Sequence, residues 1–151
     1  MKTSSLIFVF ISFFIFSCSN SKKAVEQSET DTTVESEHPK AIIDQLPKNY
    51  LKTTINNVRV EDNHLHINVS YSGGCEEQTF QLIGSAAVMK SYPAKRPVVL
   101  ARDDKGDTCR QWITKDLVFE IKALADQQKD GSTIVLILDN YKGEIEYTFS
   151  E

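Results

Sequence analysis

The chain has 151 residues, of which 17 are basic and 21 acidic, for a formal net charge of −4. With no basic stripe and no aromatic stacking motif, this balance argues against nucleic acid as a partner. It also disfavours electrostatic docking on anionic lipid, so any membrane attachment must come from apolar chains. The three cysteines are an odd number, which leaves one outside any disulfide scheme.

Residues 1–17 read as a processing signal. Lys2 gives a positive start, and "LIFVFISFFIF" (Leu6 to Phe16) is an apolar run broken only by Ser12. Eleven helical residues rise about 16 Å, roughly half a bilayer's hydrocarbon core, so this run suits a secretory h-region better than a membrane span. It ends in "IFSC", Ile15-Phe16-Ser17-Cys18. This resembles the lipobox of bacterial lipoproteins: an apolar residue three places before the cut, a small one just before it, then cysteine. The resemblance covers only the first twenty or so residues, and Phe16 is bulkier than that family's usual residue. It implies a diacylglycerol on the Cys18 thiol, cleavage before Cys18, and attachment to a lipid bilayer. Ser19 in the following position implies sorting to the outer membrane. Without Lys2 the mature chain carries 16 basic and 21 acidic residues.

Residues 18–40 form the lipidated cysteine and a polar tether. From Ser19 to His38 only Ala24, Val25 and Val34 are apolar, too few to offset the entropy of ordering, so the segment is expected to be disordered. "DTT" (Asp31 to Thr33) resembles a short O-glycosylation sequon centred on Thr32, although three ordinary linker residues account for it as well. In "HPKAIIDQLPKNY", Ile42, Ile43 and Leu46 between two prolines suggest one helical turn.

The folded domain is expected over residues 41–151, with a period of two. "HLHINVSYS" places Leu65, Ile67, Val69 and Tyr71 on one face and His64, His66, Asn68 and Ser70 on the other. "DLVFEIKAL" turns Leu117, Phe119 and Ile121 inward, and "EIEYTFS" does so with Ile145, Tyr147 and Phe149. "TIVLILD" (Thr133 to Asp139) is apolar on both faces and suits a central strand. "EDN" and "DNYKGE" supply hairpin turns, "SYPAKRP" and "RDDKGD" longer loops around the strand "VVLA", and "ALADQQKDG" a short helical connection. Seven or eight short strands predict an all-β fold, an antiparallel β-sandwich, with a partly open barrel as the alternative.

If Cys18 carries lipid, Cys75 and Cys109 remain as an even pair in an oxidising compartment and are expected to bridge. Closing a loop of that length contributes about 3–4 kcal/mol in the chain-entropy account. Trp112, three residues beyond Cys109, is expected to pack nearby in the core. Other chemistry is weak. His64 and His66 share a strand face at a spacing that can chelate zinc, yet no third ligand is evident and the face continues as a solvated surface would. Asp103, Asp104 and Asp107 lack EF-hand spacing and sit among Arg102, Lys105 and Arg110, so a polar turn explains them better than calcium. His64, His66 and Asp107 are the weak metal candidates. No catalytic residue and no cofactor are implied. The expected function is that of an envelope lipoprotein with a non-enzymatic binding, scaffolding or accessory role toward an envelope protein or glycan. The alternative is a small inhibitor of an envelope enzyme, using "SYPAKRP" as a wedge; a metal-dependent enzyme is less favoured.

Replacing the acylated thiol tests the address. Cys18→Ala is expected to abolish lipid attachment and leave uncleaved precursor. Acyl chains on the variant, or mature protein still beginning at residue 18, would refute the lipoprotein reading.

Overall fold

The computed structural model describes residues 37–151, so Cys18 and Thr32 lie outside the described residues. Among the described residues, eight strands form: β1 (Ile42–Asp44), β2 (Thr54–Glu61), β3 (His64–Gly73), β4 (Thr79–Ser85), β5 (Ala94–Asp103), β6 (Gln111–Glu120), β7 (Thr133–Leu138) and β8 (Ile145–Thr148). They build two sheets, one in the order β1-β4-β5-β7-β8 and one in the order β2-β3-β6. The sheets share no strand, so the fold is a sandwich and not a barrel.

The expected phases hold. Leu65, Ile67 and Val69 of β3, Leu117 and Phe119 of β6, and Ile145 and Tyr147 of β8 all face the core, where Leu82, Val98, Leu100, Leu136 and Leu138 meet them from the larger sheet. The "EDN" turn joins β2 to β3 with Asp62 at φ 49°, and the loop after β7 joins it antiparallel to β8. A single 3-10 turn, Lys122–Leu124, follows β6 and buries Leu124.

Three features depart from the sequence reading. Two pairings, β1 with β4 and β5 with β7, are parallel, because the chain visits the other sheet in between, through β2 and β3 in the first case and β6 in the second. The expected helical turn near Ile42 is instead the short strand β1. With only a few residues between Pro39 and Pro47, a helix nucleus is unfavourable, whereas the β4 edge offers backbone partners at once. Strand β5 also runs through Lys95, Arg96 and Pro97, beyond the expected "VVLA". Proline is tolerated there for a geometric reason. Val98 turns its carbonyl toward β7, where it accepts from the Asp139 N–H at 2.9 Å, so the Pro97 nitrogen faces the side on which β4 pairing has already ended.

Polar contacts hold the sheets together at both ends. Buried Asn63, in the β2–β3 turn, accepts from the Tyr147 hydroxyl at 2.7 Å and from the Ser150 N–H at 3.2 Å, and donates to the Ser150 carbonyl at 2.6 Å. At the opposite end Asn140 donates to the Thr53 carbonyl at 2.7 Å, and Asp139 takes Lys52 at 3.0 Å and the Tyr50 hydroxyl.

Phe119 is 1% exposed, so Phe119→Ala is expected to lower unfolding free energy by about 3–5 kcal/mol. Lys122→Ala, at an exposed position, should stay within about 0.5 kcal/mol in the same denaturant titration.

Candidate functional site

Cys75 and Cys109 form a disulfide with Cα atoms 5.8 Å apart. It joins the turn after β3 to the loop before β6, two strands already paired from Gly73 against Gln111. The local sequence explains the bend. A side chain at Gly73 would collide with Gln78 Nε2, 2.0 Å from where its Cβ would lie, and Gly74 adopts φ +118°. "GGC" is therefore required twice, once for space and once for backbone conformation.

Asp107 organises this turn. Its Oδ2 accepts the Gly74 N–H at 2.7 Å, the Cys75 and Glu76 N–H groups at 3.2 and 3.3 Å, and Gln78 Nε2 at 3.2 Å, while Oδ1 accepts the Cys109 N–H at 2.8 Å. Those donors, led by the Cys109 amide, hold its carboxyl well below the usual carboxylate range. Buried Gln78 passes the network inward, accepting from Arg102 Nη1 at 2.6 Å, and the Arg102 guanidinium lies 5.4 Å from the Tyr71 ring centroid. From the sequence Asp107 is one member of a polar turn and a weak metal candidate. Its role across the loop has no local signature, because four of its five donors sit some thirty residues upstream.

The weak metal candidates are not brought together. His64 opens β3, while Asp107 binds beyond its far end, roughly 30 Å along the strand. His66 Nδ1 takes Arg59 at 3.2 Å and its Nε2 meets Glu61 at 3.1 Å, so both ring nitrogens are engaged. Burial, then Arg59 and the neighbouring histidines, lower its pKa. The His64 ring packs edge-on against His38, centroids 5.3 Å apart. Cys75, Asp107 and Cys109 do cluster within 4.8 Å, but the two sulfurs are bonded to each other and neither offers a thiolate. Asp103 pairs with Lys105 at 2.6 Å, and Asp104 accepts the Gly106 N–H at 3.0 Å, as in a polar turn.

Trp112 corrects another expectation. It is 65% exposed, in register with Ser72 on the solvent face, because an inward Leu117 puts residues an odd number away on the opposite face.

Among the described residues the most exposed aromatic side chain is Tyr92, at 103% of its reference area. It caps a tight loop closed by two backbone bonds between Met89 and Lys95, at 2.8 and 3.3 Å. Ser91 braces the tip, its N–H donating to the Met89 carbonyl at 3.0 Å and its hydroxyl to the Pro93 carbonyl at 2.7 Å. The Tyr92–Pro93 peptide is cis. Beside it lies a groove of about 680 Å³ lined in part by Pro93, Asp126, Asp130 and Glu146. Of the basic residues in "SYPAKRP", Lys95 pairs with Glu144 and Arg96 is buried. Arg96 donates to the Leu124, Ser85 and Ala125 carbonyls at 2.9, 2.5 and 3.3 Å. The loop therefore presents an aromatic tip, not a basic one.

No protein family matches this sequence, and neither does any curated protein sequence. Among solved structures, a NigD-like immunity protein from Bacteroides caccae aligns with a TM-score of 0.52 at 14% identity, over 72% of this chain and 57% of that one. A protein of unknown function from Bacteroides vulgatus aligns at 0.45 and 16% identity, over 76% and 57% of the two chains. A toxin-related protein from Parabacteroides distasonis aligns at 0.44 and 15% identity, over 73% and 60%. The chain spans less than two thirds of each neighbour's length, and the likeness is one of fold.

Two measurements test the clamp. Cys75→Ser with Cys109→Ser is expected to cost about 2–5 kcal/mol of unfolding free energy. Because the folded-state pKa of Asp107 is depressed, its contribution is complete above the ordinary carboxylate range and lost as pH falls through and below it. Asp107→Asn should therefore lower stability at neutral pH and flatten the acid limb of a stability-versus-pH curve. An unchanged acid limb would mean that the five donors do not stabilise the charge.

Proposed function

We propose that this chain is a lipid-anchored, non-enzymatic protein of the bacterial envelope that acts by occupying a partner protein. The Cys18 motif supports attachment at the outer membrane, and among the described residues no helix is long and apolar enough to cross a bilayer. The observation that carries the binding reading is Tyr92: a wholly exposed aromatic ring on a loop whose backbone is pinned on both sides. Large aromatic side chains supply much of the energy at protein interfaces, and a pre-ordered loop loses little entropy on docking. An inhibitory or neutralising action on the partner is favoured over passive scaffolding, since a rigid projecting tip suits insertion into a cleft. The shared fold with a NigD-like immunity protein is compatible with that action.

Tyr92→Ala tests the reading without disturbing the core. Its thermal unfolding should match that of the parent chain, within about 0.5 kcal/mol. Affinity capture from detergent-solubilised envelopes, with residues 18–40 intact, should yield a protein bound at least tenfold more weakly by the variant, about 1.4 kcal/mol. Partners retained equally by both forms would rule out the tip as the contact.

A further inference from the structure

The outer edge of β6 lies apart from the Tyr92 loop and carries little backbone pairing among the described residues. Glu120 donates its N–H to the Pro39 carbonyl at 3.0 Å and accepts the Ala41 N–H at 2.8 Å, while the Ile121 N–H points the other way, to Asn63. Backbone direction alternates along a strand, and β6 pairs with β3 without a register shift from Gln111 to Glu120. Trp112, Thr114 and Asp116 therefore turn their N–H and C=O groups away from β3, toward the sheet's edge. Among the described residues, the bridge of Lys40 with Glu120 is the one pairing on that side.

We propose that this edge receives an extended segment of a partner protein, which adds a fourth strand to the small sheet and sets a carboxylate against Lys115. Such an added strand would continue the line along which Pro39–Ala41 already pairs. Its inward side chains would point toward a cleft of about 440 Å³ lined in part by Pro39, Phe80, Arg102 and Phe119. Lys115 lies on the inward side, opposite fully buried Val69, yet it is exposed and has no carboxylate partner among the described residues. An inward charge at a sheet edge discourages indiscriminate strand pairing. The same charge selects an incoming strand that supplies its opposite. On the other face, Trp112 offers the exposed aromatic surface that interface energetics favour.

The probe is a fluorescent heptapeptide, STVEVTS, with its lysine counterpart STVKVTS, titrated against the mature chain by anisotropy. The glutamate peptide should bind saturably, at least about tenfold tighter than the lysine peptide, and Lys115→Glu should reverse the preference. Thr114→Pro removes an edge-facing N–H and leaves the β3 ladder intact, so it should abolish binding of both peptides while thermal unfolding stays cooperative. If Thr114→Pro does not fold, the Lys115→Glu exchange alone decides. Absence of saturable binding, equal affinity for the two peptides, or no reversal in Lys115→Glu overturns the proposal.

Discussion

A three-stranded sheet has to cover a five-stranded one, and most of the architecture answers that mismatch. The smaller sheet buries its inner face through long strands, with β3 and β6 each contributing ten residues. The larger sheet needs additional cover. The 3-10 turn lays Leu124 over one end of it, and Arg96 fixes that turn by bonding its carbonyls. Between Asp44 and Leu51 the chain passes from one edge of the larger sheet to the far side of β5. Ile83, Val99 and Val135 are buried but lie outside the core cluster, on the other face of the larger sheet.

Because apolar contact alone does not fix how two sheets of different width sit on each other, polar contacts set the register. Asn63 is the clearest case: one buried amide satisfies Tyr147 and the backbone of Ser150, tying a hairpin of the small sheet to the last strand of the large one. Removing one partner would leave a buried polar group unsatisfied, which costs more than the bond contributes. Asp107 and Gln78 perform the corresponding task at the disulfide end, where Arg102 reaches across from β5. The covalent link and the carboxylate act on the same turn, so the "GGC" bend is constrained both as an ensemble and in the folded state.

The edges follow from the same mismatch. β1 and β8, at the ends of the large sheet, have three and four residues and present little backbone. β2 is interrupted by a register shift between Ile55 and Asn57. β6 is the long, regular edge that remains, guarded by Lys115, and the proposed strand addition arises there. Tyr92 has a different origin: its loop leads into the stretch of β5 that pairs with β7 from Ala94 on, and is closed by the backbone bonds between Met89 and Lys95.

The phases of β3, β6 and β8 were legible in the sequence because a strand's pleat is local: alternate residues share a face whatever the strand pairs with. The same rule, applied from Leu117, would have placed Trp112 outside. The pairing of Cys75 with Cys109 followed from counting, once Cys18 was assigned to lipid. What stayed hidden depends on contacts remote in sequence. The parallel pairing of β5 with β7 is decided by β6 leaving for the other sheet, and Pro97 is acceptable only because β4 stops beside it. Asp107 became the organiser of a turn thirty residues away, Arg96 was buried under a helical turn, and Tyr92 was left wholly exposed. Composition assigned these residues to polar turns and a loop, and only tertiary packing determined which of them would be buried, bonded across the fold or left exposed.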